Sequence, residues 1–303
     1  MFQSINAIEF NKRFPDNESC YKYLEHLKWG NEYSCSRCGC KQFNKGKTSH
    51  HRRCKQCGYD ESVTANSVFH GIKMPLLKAF HMAFRLTAKK KGMSTTELSC
   101  EVGVEQKTAW LFKRKLQVAM KQNNQVKLMG KVDVDETMLG FHTGRKDGGR
   151  SLTKRAALMV AAEILEDGRT GNMRMQVIED FKAPTFKYAL KDMVSHDASI
   201  RTDDYVSYFT VQQQGMDNIT QVRSENGKAF EELHRQIMQF KAWLKGIHHR
   251  WSKEHLFAYA DEYVFRFNRR NNRKSIFHAA ISNMMHQVPH PYPVLKNLCA
   301  HST

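Results

Sequence analysis

Apolar and polar residues alternate with a period of two near the middle of the chain. Val132 and Val134 occupy one set of positions, and Asp133 and Asp135 occupy the other. Side chains of a β-strand point to its two faces in turn, so this pattern predicts a strand with valines on one face and carboxylates on the other. An isolated pair of such aspartates is commonly a solvated strand face, and one strand alone therefore favours no chemistry.

A second short β-like run, residues 198–204, also ends on carboxylates. Hard divalent cations bind several anionic oxygens that a rigid support holds in place. Acidic residues on strands that are far apart in sequence can supply those oxygens. The two runs together therefore predict a candidate site for a divalent metal.

Further predicted strands and helices follow the first aspartate-bearing strand. Apolar runs at 156–165 and 173–179 indicate the two strands of a hairpin, and a proline favours a helix that starts at 184 and ends near 193. A short strand at 219–222 then leads into a long amphipathic helix at 229–245. Strands, helix, strand and helix in this order resemble a ribonuclease-H-like core.

Residues 75–120 show helical periodicity on both sides of a glycine. Ser94 and Glu97 form the capping box of one predicted helix, and Gly103 separates it from a second helix. Helix, glycine turn and helix are the outline of a helix-turn-helix, whose second helix carries basic residues towards DNA. A helical hairpin with one basic face gives a similar pattern. The DNA-binding candidates on the second helix are Lys107, Lys113, Arg114 and Lys115.

Four cysteines form two C-x-x-C pairs, with residues 39–53 between the pairs. This spacing matches a four-cysteine tetrahedral zinc site. Four thiolates leave no open position for a water molecule, so the zinc is predicted to be structural. The predicted ligands are Cys35, Cys38, Cys54 and Cys57, with Cys40 close enough to substitute for one of them, while Cys20, Cys100 and Cys299 are interpreted as ordinary buried thiols.

The net positive charge of the chain indicates the class of its partner. The 303 residues include 48 Lys and Arg against 30 Asp and Glu, a net charge of +18. Such an excess repels itself unless it meets a polyanion, so nucleic acid is the expected partner and an anionic membrane surface the weaker alternative. No long apolar run or signal-peptide pattern occurs, and we expect a cytosolic protein with reduced cysteines. Further phosphate-binding candidates are Arg145, Lys146 and Arg150 in a glycine-rich segment, and Arg269 and Arg270 at a helix end, where a solvated helix end is the alternative.

Short motifs spread over nearly the whole chain carry a family resemblance. The sequence resembles bacterial insertion-sequence transposases of the DDE type with an N-terminal zinc ribbon, in the ISXO-like group. Such a set of motifs is far more specific than any one of them. They are the two C-x-x-C pairs and residues 69–75, 107–110, 134–137, 202–205, 243–249 and 265–270.

The resemblance implies a reaction and a set of site residues. Asp135 and Asp203 would be the first two ligands of catalytic Mg²⁺ or Mn²⁺, in a two-metal-ion site that cleaves DNA and transfers strands. The expected partners are terminal inverted repeats and target DNA. At least a dimer is expected to hold two element ends, and the location would be bacterial and nucleoid-associated.

The third ligand departs from the acidic pattern of the family. His234 stands where the third acid is expected, and Lys241 follows at the seventh position, which makes this a DDH variant in which the lysine contacts DNA phosphate. A histidine beside an apolar helix face is more often simply packed, and a neutral imidazole holds Mg²⁺ weakly and favours Mn²⁺. Glu231 and Glu262 are the alternative third ligands.

The predicted fold class is multidomain α+β. We expect an N-terminal helix and zinc ribbon at 1–72, a helix-turn-helix at 73–125, a ribonuclease-H-like catalytic domain with C-terminal helices at 126–290, and a tail at 291–303. The competing hypothesis is a catalytically inactive DNA-binding transcriptional regulator with the same zinc ribbon and helix-turn-helix. A free-standing nuclease would leave the two N-terminal DNA-reading modules unexplained.

Overall fold

The protein is mixed α+β, and its chain divides into two compact units. The first unit comprises Met1–Ala119 and Asn272–Leu295, and the second comprises Met120–Asn271. A computed structural model describes residues 1–30, 32–122, 126–140, 155–223, 229–248, 251 and 253–295. In this part of the chain, no helix combines the length and apolar character needed to cross a membrane.

The first unit contains a small antiparallel sheet with strand order β1-β2-β3. Its strands have only three or four residues each, so they cannot bury a core of their own. Two helices precede the sheet. The bounds are α1 Ala7–Arg13, α2 Asn17–Trp29, β1 Phe43–Lys45, β2 His51–Cys54 and β3 Asp60–Ser62.

The helices of the first unit pack around phenylalanine side chains. Phe10, Phe14, Phe80 and Phe277 are almost fully buried, and Phe277 lies 5.6 Å from Phe10 between ring centroids. Phe277 belongs to the helix at 276–286, α10, which packs on α2 and α3. The sequence placed this helix in the catalytic domain expected at 126–290, whereas in the structure it belongs to the first unit. The bounds are α3 Leu76–Ala88, α4 Thr95–Val102, α5 Gln106–Gln122 and α10 Ile276–His286.

The two helices around Gly103 form as the sequence indicates. The hydroxyl of Ser94 accepts a hydrogen bond from the Glu97 backbone N–H at 3.1 Å, which caps α4. Gly103 has φ of 64° and ends the helix in the left-handed region that glycine adopts without strain.

The basic face predicted for α5 is only partly exposed. Lys113 is 2% exposed and donates to the Met93 carbonyl oxygen at 2.8 Å, and Arg114 is 6% exposed and donates to the Gln117 side-chain oxygen. Neither charge is open to DNA, so these two predicted contacts are wrong. Lys115 is half-buried, whereas Lys107 is exposed.

The second unit is built on a five-stranded sheet with strand order β6-β5-β4-β7-β8. Strands β4, β5 and β6 pair antiparallel, and β4, β7 and β8 pair in parallel. The bounds are β4 Lys131–Gly140, β5 Arg155–Ile164, β6 Thr170–Ile178, β7 Ser199–Thr202 and β8 Ile219–Gln221. They agree with the strands that the sequence predicts, except that β6 begins earlier, directly after the turn at Gly168.

Helices cover both faces of this sheet. Val132 and Val134 are fully buried in one core with residues of α6 and α7, and Leu158 and Val160 are fully buried in the other with residues of α8 and α9. The carboxylate side of β4 is therefore not a solvated face, because α8 packs over it. The bounds are α6 Ala183–Met193, α7 Val206–Gln213, α8 Glu231–Ile247 and α9 Leu256–Phe267.

Candidate active site

Three carboxylates meet where strand β7 ends beside the middle of strand β4. Oxygen atoms of Asp135, Glu136 and Asp203 all lie within 4.8 Å of one another. Asp135 and Glu136 are on β4, and Asp203 directly follows the last residue of β7. The neighbouring strands β4 and β7 run in parallel, so both bring their acids to the same region. Clustered carboxylate oxygens are the ligands that hard divalent cations prefer, so the donor set fits Mg²⁺ or Mn²⁺.

Asp135 is the carboxylate that joins the strands to helix α8. One of its oxygens accepts a hydrogen bond from the Glu136 backbone N–H at 2.7 Å, and the other lies 3.0 Å from His234 Nε2. Asp203 accepts a hydrogen bond from the backbone N–H of Tyr205 at 3.2 Å. Backbone donors thus hold one oxygen of each of these two acids in a fixed orientation.

His234 and the two alternative third ligands have different surroundings. His234 contacts Asp135 from the second turn of α8. Glu231 is exposed and pairs with Arg235 at 3.2 Å, and Glu262 is buried on α9. Among the residues that the structure describes, the clustered group of Asp135, Glu136 and Asp203 includes none of these three candidates. His234 is favoured by its 3.0 Å approach to Asp135, which no hydrogen bond or ion pair of Glu231 matches.

Lys241 lies two turns after His234 on the same side of α8, because positions seven apart superimpose along a helix. Burial lowers the pKa of the Lys241 ammonium, and the negative charge of Asp135 acts in the opposite direction. The ammonium group is thus close enough to interact with the charge of Asp135, and enough of the side chain is exposed to contact a ligand.

Two residues of this region were missed by sequence reasoning. Glu136 follows Asp135 directly, and this pair of adjacent acids was the available signal. Tyr208 on α7 is fully buried, and its pKa is raised well above the ordinary value by burial and then by the charge of Glu136. No sequence pattern indicates Tyr208, because tertiary packing alone brings α7 beside β4.

Asp133 shares a strand face with Asp135 but has a structural role. It is 2% exposed and accepts two hydrogen bonds from the Arg201 guanidinium, each at 2.7 Å. The two residues are direct partners in the pairing of β4 with β7. This bidentate ion pair joins the strands two residues before Asp135 and Asp203, and it accounts for the buried charge of Asp133.

The four predicted zinc ligands also meet. Ligand atoms of Cys35, Cys38, Cys54 and Cys57 lie within 4.8 Å of one another. Backbone N–H groups, that of Cys57 first, lower the pKa of Cys54 and so favour its thiolate. Four sulfur donors with this proximity fit a structural zinc ion. Cys40 is outside the group, and its thiol lies near the Gln42 backbone instead.

Comparison with known families agrees with both sites. A model of the ISXO2-like transposase domain matches residues 127–268, and a model of a transposase zinc-ribbon domain matches residues 15–60. The chain carries an ISXO2-like transposase domain behind a transposase zinc ribbon. The family expected from the sequence motifs is thereby confirmed. The transposase domain contains Asp135, Asp203, His234 and Lys241, and the ribbon contains all four clustered cysteines.

The other comparisons add little. No curated protein matches the chain. Among solved structures, a chain of the crystal structure of the Mos1 strand transfer complex is similar at 10% identity and a TM-score of 0.28, over 68% of this chain and 78% of that one. A TM-score this low carries no argument about fold or function.

Near the end of the transposase domain, Arg269 and Arg270 stabilise local structure. Each lies over a ring of α9, at 3.9 Å from Phe265 and 4.0 Å from Phe267, and donates to the carbonyl oxygen of the same phenylalanine. Arg270 also donates to the Thr170 carbonyl. The guanidinium groups close the helix end and remain half-buried, and their contact with DNA phosphate stays a prediction. Arg145, Lys146 and Arg150 lie outside the described residues.

Proposed function

We propose that this protein is the DNA transposase of an insertion sequence. It binds the terminal inverted repeats, cleaves DNA at the element ends and joins those ends to target DNA. The observation that carries this proposal is the meeting of Asp135 and Asp203 from separate strands, with His234 at 3.0 Å from Asp135. The strand order of the sheet, antiparallel on one side of β4 and parallel on the other, supports a ribonuclease-H-like catalytic core.

The chain's own residues would bind and orient the reactants. Asp135, Asp203 and His234 would hold the divalent ions, and Lys241 would contact a DNA phosphate beside them. When bound, a pair of such ions stabilises the negative charge that develops on phosphoryl oxygens and on the leaving alkoxide. The basic surface of the chain would draw DNA to this site.

The reaction has two steps, a hydrolysis and a strand transfer, and the strand transfer keeps the number of phosphodiester bonds unchanged. In the first step a water oxygen bonds to phosphorus, the bond to the 3′-oxygen of the element end breaks, and that oxygen takes up a proton. In the second step this 3′-hydroxyl loses its proton to solvent and its oxygen bonds to the phosphorus of a target phosphodiester. The bond from that phosphorus to the 3′-oxygen of the target strand breaks, and the released oxygen takes up a proton. No nucleotide cofactor is needed, consistent with a sequence that contains no G-x-x-x-x-G-K-S/T phosphate loop.

DNA recognition would belong to the first unit. The zinc ribbon and the helices α4 and α5 are the candidate DNA-reading modules, with Lys107 as the exposed basic residue at the start of α5. Two element ends must be held together for joining, so at least two protomers are expected on the DNA.

The test uses full-length, zinc-loaded protein with Mg²⁺ or Mn²⁺, a supercoiled plasmid and duplexes from the inverted repeats that flank the gene. Asp135→Asn and Asp203→Asn are expected to bind the repeats as the unchanged protein does. Joining by either variant should fall by about a thousandfold or more, which corresponds to about 4 kcal/mol in the barrier.

Asp217→Asn is the matched control, because Asp217 is an exposed aspartate of the same unit outside the carboxylate group. It should join repeats at the unchanged rate. Equal joining by the Asp135 and Asp203 variants would overturn the catalytic assignment and leave the DNA-binding regulator as the better function.

A further inference from the structure

The proposed site has one carboxylate fewer than an all-acidic triad, because His234 contributes a neutral nitrogen. Hard cations are held mainly by anionic oxygens, so this loss weakens the site for Mg²⁺ most. Glu136 brings a third carboxylate into the same region, with an oxygen within 4.8 Å of oxygens of Asp135 and Asp203.

Strand geometry separates the roles of the two adjacent acids. Successive side chains of β4 point to opposite faces of the sheet. Asp135 points towards α8 and contacts His234, so Glu136 points towards the side that α6 and α7 cover. Its direct partner across the sheet, Met159, is fully buried in the core on that side. Glu136 thus approaches the group of acids from the opposite side to His234.

Tyr208 is an independent observation at this place. It is fully buried, with its ring centroid 4.8 Å from that of Phe186 in the core between α6 and α7. In the part of the chain that the structure describes, its hydroxyl makes no hydrogen bond. The charges of Glu136, Asp135 and Asp203 all act on this hydroxyl, and that of Glu136 acts most strongly. Buried hydroxyl groups are normally paired, so this one needs an acceptor.

We propose that Glu136 is a third carboxylate ligand of the divalent-metal site and that Tyr208 is the residue that positions it. In the metal-bound site the phenol O–H would donate to one carboxylate oxygen of Glu136 and leave the other directed at the cation. With Asp135 and Asp203, Glu136 gives the site three negative charges, while His234 supplies a nitrogen. This inference rests on the proposed function of the same site.

The experiment measures Mn²⁺ binding to the full-length, zinc-loaded protein by electron paramagnetic resonance and calorimetry, without DNA. Glu136→Gln is expected to weaken Mn²⁺ binding by about a hundredfold, and Tyr208→Phe by about tenfold, because partners that orient a ligand typically contribute ~10–100-fold in affinity. Mg²⁺ competition should show a larger loss for Mg²⁺ than for Mn²⁺ in Glu136→Gln, because the remaining donor set is richer in nitrogen.

Two control variants change the same groups elsewhere. Glu231→Gln removes an exposed carboxylate of α8, and Tyr188→Phe removes the hydroxyl of a tyrosine that is 71% exposed on α6. Both should bind Mn²⁺ as the unchanged protein does. Glu136→Asp keeps a carboxylate and should recover part of the Mn²⁺ affinity that Glu136→Gln loses. This comparison does not depend on whether the Tyr208→Phe protein is stable.

Failure of this inference is distinct from failure of the proposed function. If Asp135→Asn loses Mn²⁺ binding while Glu136→Gln keeps it, Glu136 is not a ligand and the transposase site stands. If neither variant changes Mn²⁺ binding, the metal site itself is misassigned. The inference would also fail if Tyr188→Phe lowered the affinity for Mg²⁺ and Mn²⁺ as much as Glu136→Gln does. The loss of a remote hydroxyl would then have the same effect as the loss of the proposed ligand.

Discussion

At the scale of single residues, the site depends on ion pairs that fix its ligands. Asp133 and Arg201 form two parallel hydrogen bonds of 2.7 Å on the strand positions just before Asp135 and Asp203. When a buried ion pair loses either its carboxylate or its cation, the remaining charge has no compensation. The pair therefore stabilises the strand pairing that brings Asp135 and Asp203 together.

Asp133→Asn is expected to destabilise the second unit by about 2–3 kcal/mol, somewhat less than a fully buried pair because the Arg201 side chain is 36% exposed. Urea unfolding, followed by fluorescence, measures the change. Asp192→Asn breaks the pair between Arg174 and an aspartate that is 52% exposed, and should cost less than about 1 kcal/mol. Equal effects of the two substitutions would contradict a special role for the Asp133 pair.

At the scale of secondary-structure elements, glycines show where backbone conformation matters. Gly103 joins α4 to α5 at φ of 64°, a region that side chains with a Cβ atom rarely adopt. Gly246 lies inside α8, where a Cβ would meet nothing within 4 Å. The same substitution at these two places therefore has opposite expected signs.

Gly103→Ala should destabilise the α4–α5 turn by about 1 kcal/mol, because alanine is strained at positive φ. Gly246→Ala should stabilise α8 by about 0.5–1 kcal/mol, because alanine is the better helix former. Hydrogen exchange of the backbone amides in α4, α5 and α8 measures both effects. A loss of protection in α8 of Gly246→Ala would contradict the helical environment assigned to it.

Elements with strong periodicity were predictable from the sequence, and their packing was not. The alternation at Val132 and Val134 and the spacing of the C-x-x-C pairs indicate local structure, since one period or one ligand geometry determines each. Which side of a helix is buried depends on distant residues, so Lys113 seemed exposed and is buried in the structure. The approach of Tyr208 to Glu136 likewise depends on packing between elements with no shared pattern.

At the scale of the whole molecule, positive charge is the dominant property. The chain has a net charge of +18. Several of its arginines make internal contacts, such as Arg201 with Asp133 and Arg270 with the Thr170 carbonyl. The number of lysines and arginines therefore overestimates the number that contact phosphates. Salt dependence of DNA binding measures the number directly, because each neutralised phosphate adds about 0.9 to the slope of log affinity against log salt.

Lys107→Ala is expected to lower that slope by about one, because an exposed lysine at the start of α5 would lose one phosphate contact. Lys12→Ala removes the same charge from an exposed position of α1 and should leave the slope unchanged. Fluorescence anisotropy with a labelled inverted-repeat duplex at several salt concentrations makes the measurement. Equal slopes for the two variants would argue against α5 as a DNA-contacting helix.

The place of α10 in the first unit has a consequence for synthesis of the protein. Phe277 of α10 completes the aromatic core that Phe10 and Phe14 begin, with the whole second unit encoded in between. A nascent polypeptide on the ribosome can therefore fold its later unit while the earlier one is still incomplete. Only after α10 leaves the exit tunnel can the N-terminal core close, so truncated translation products lack a finished first unit.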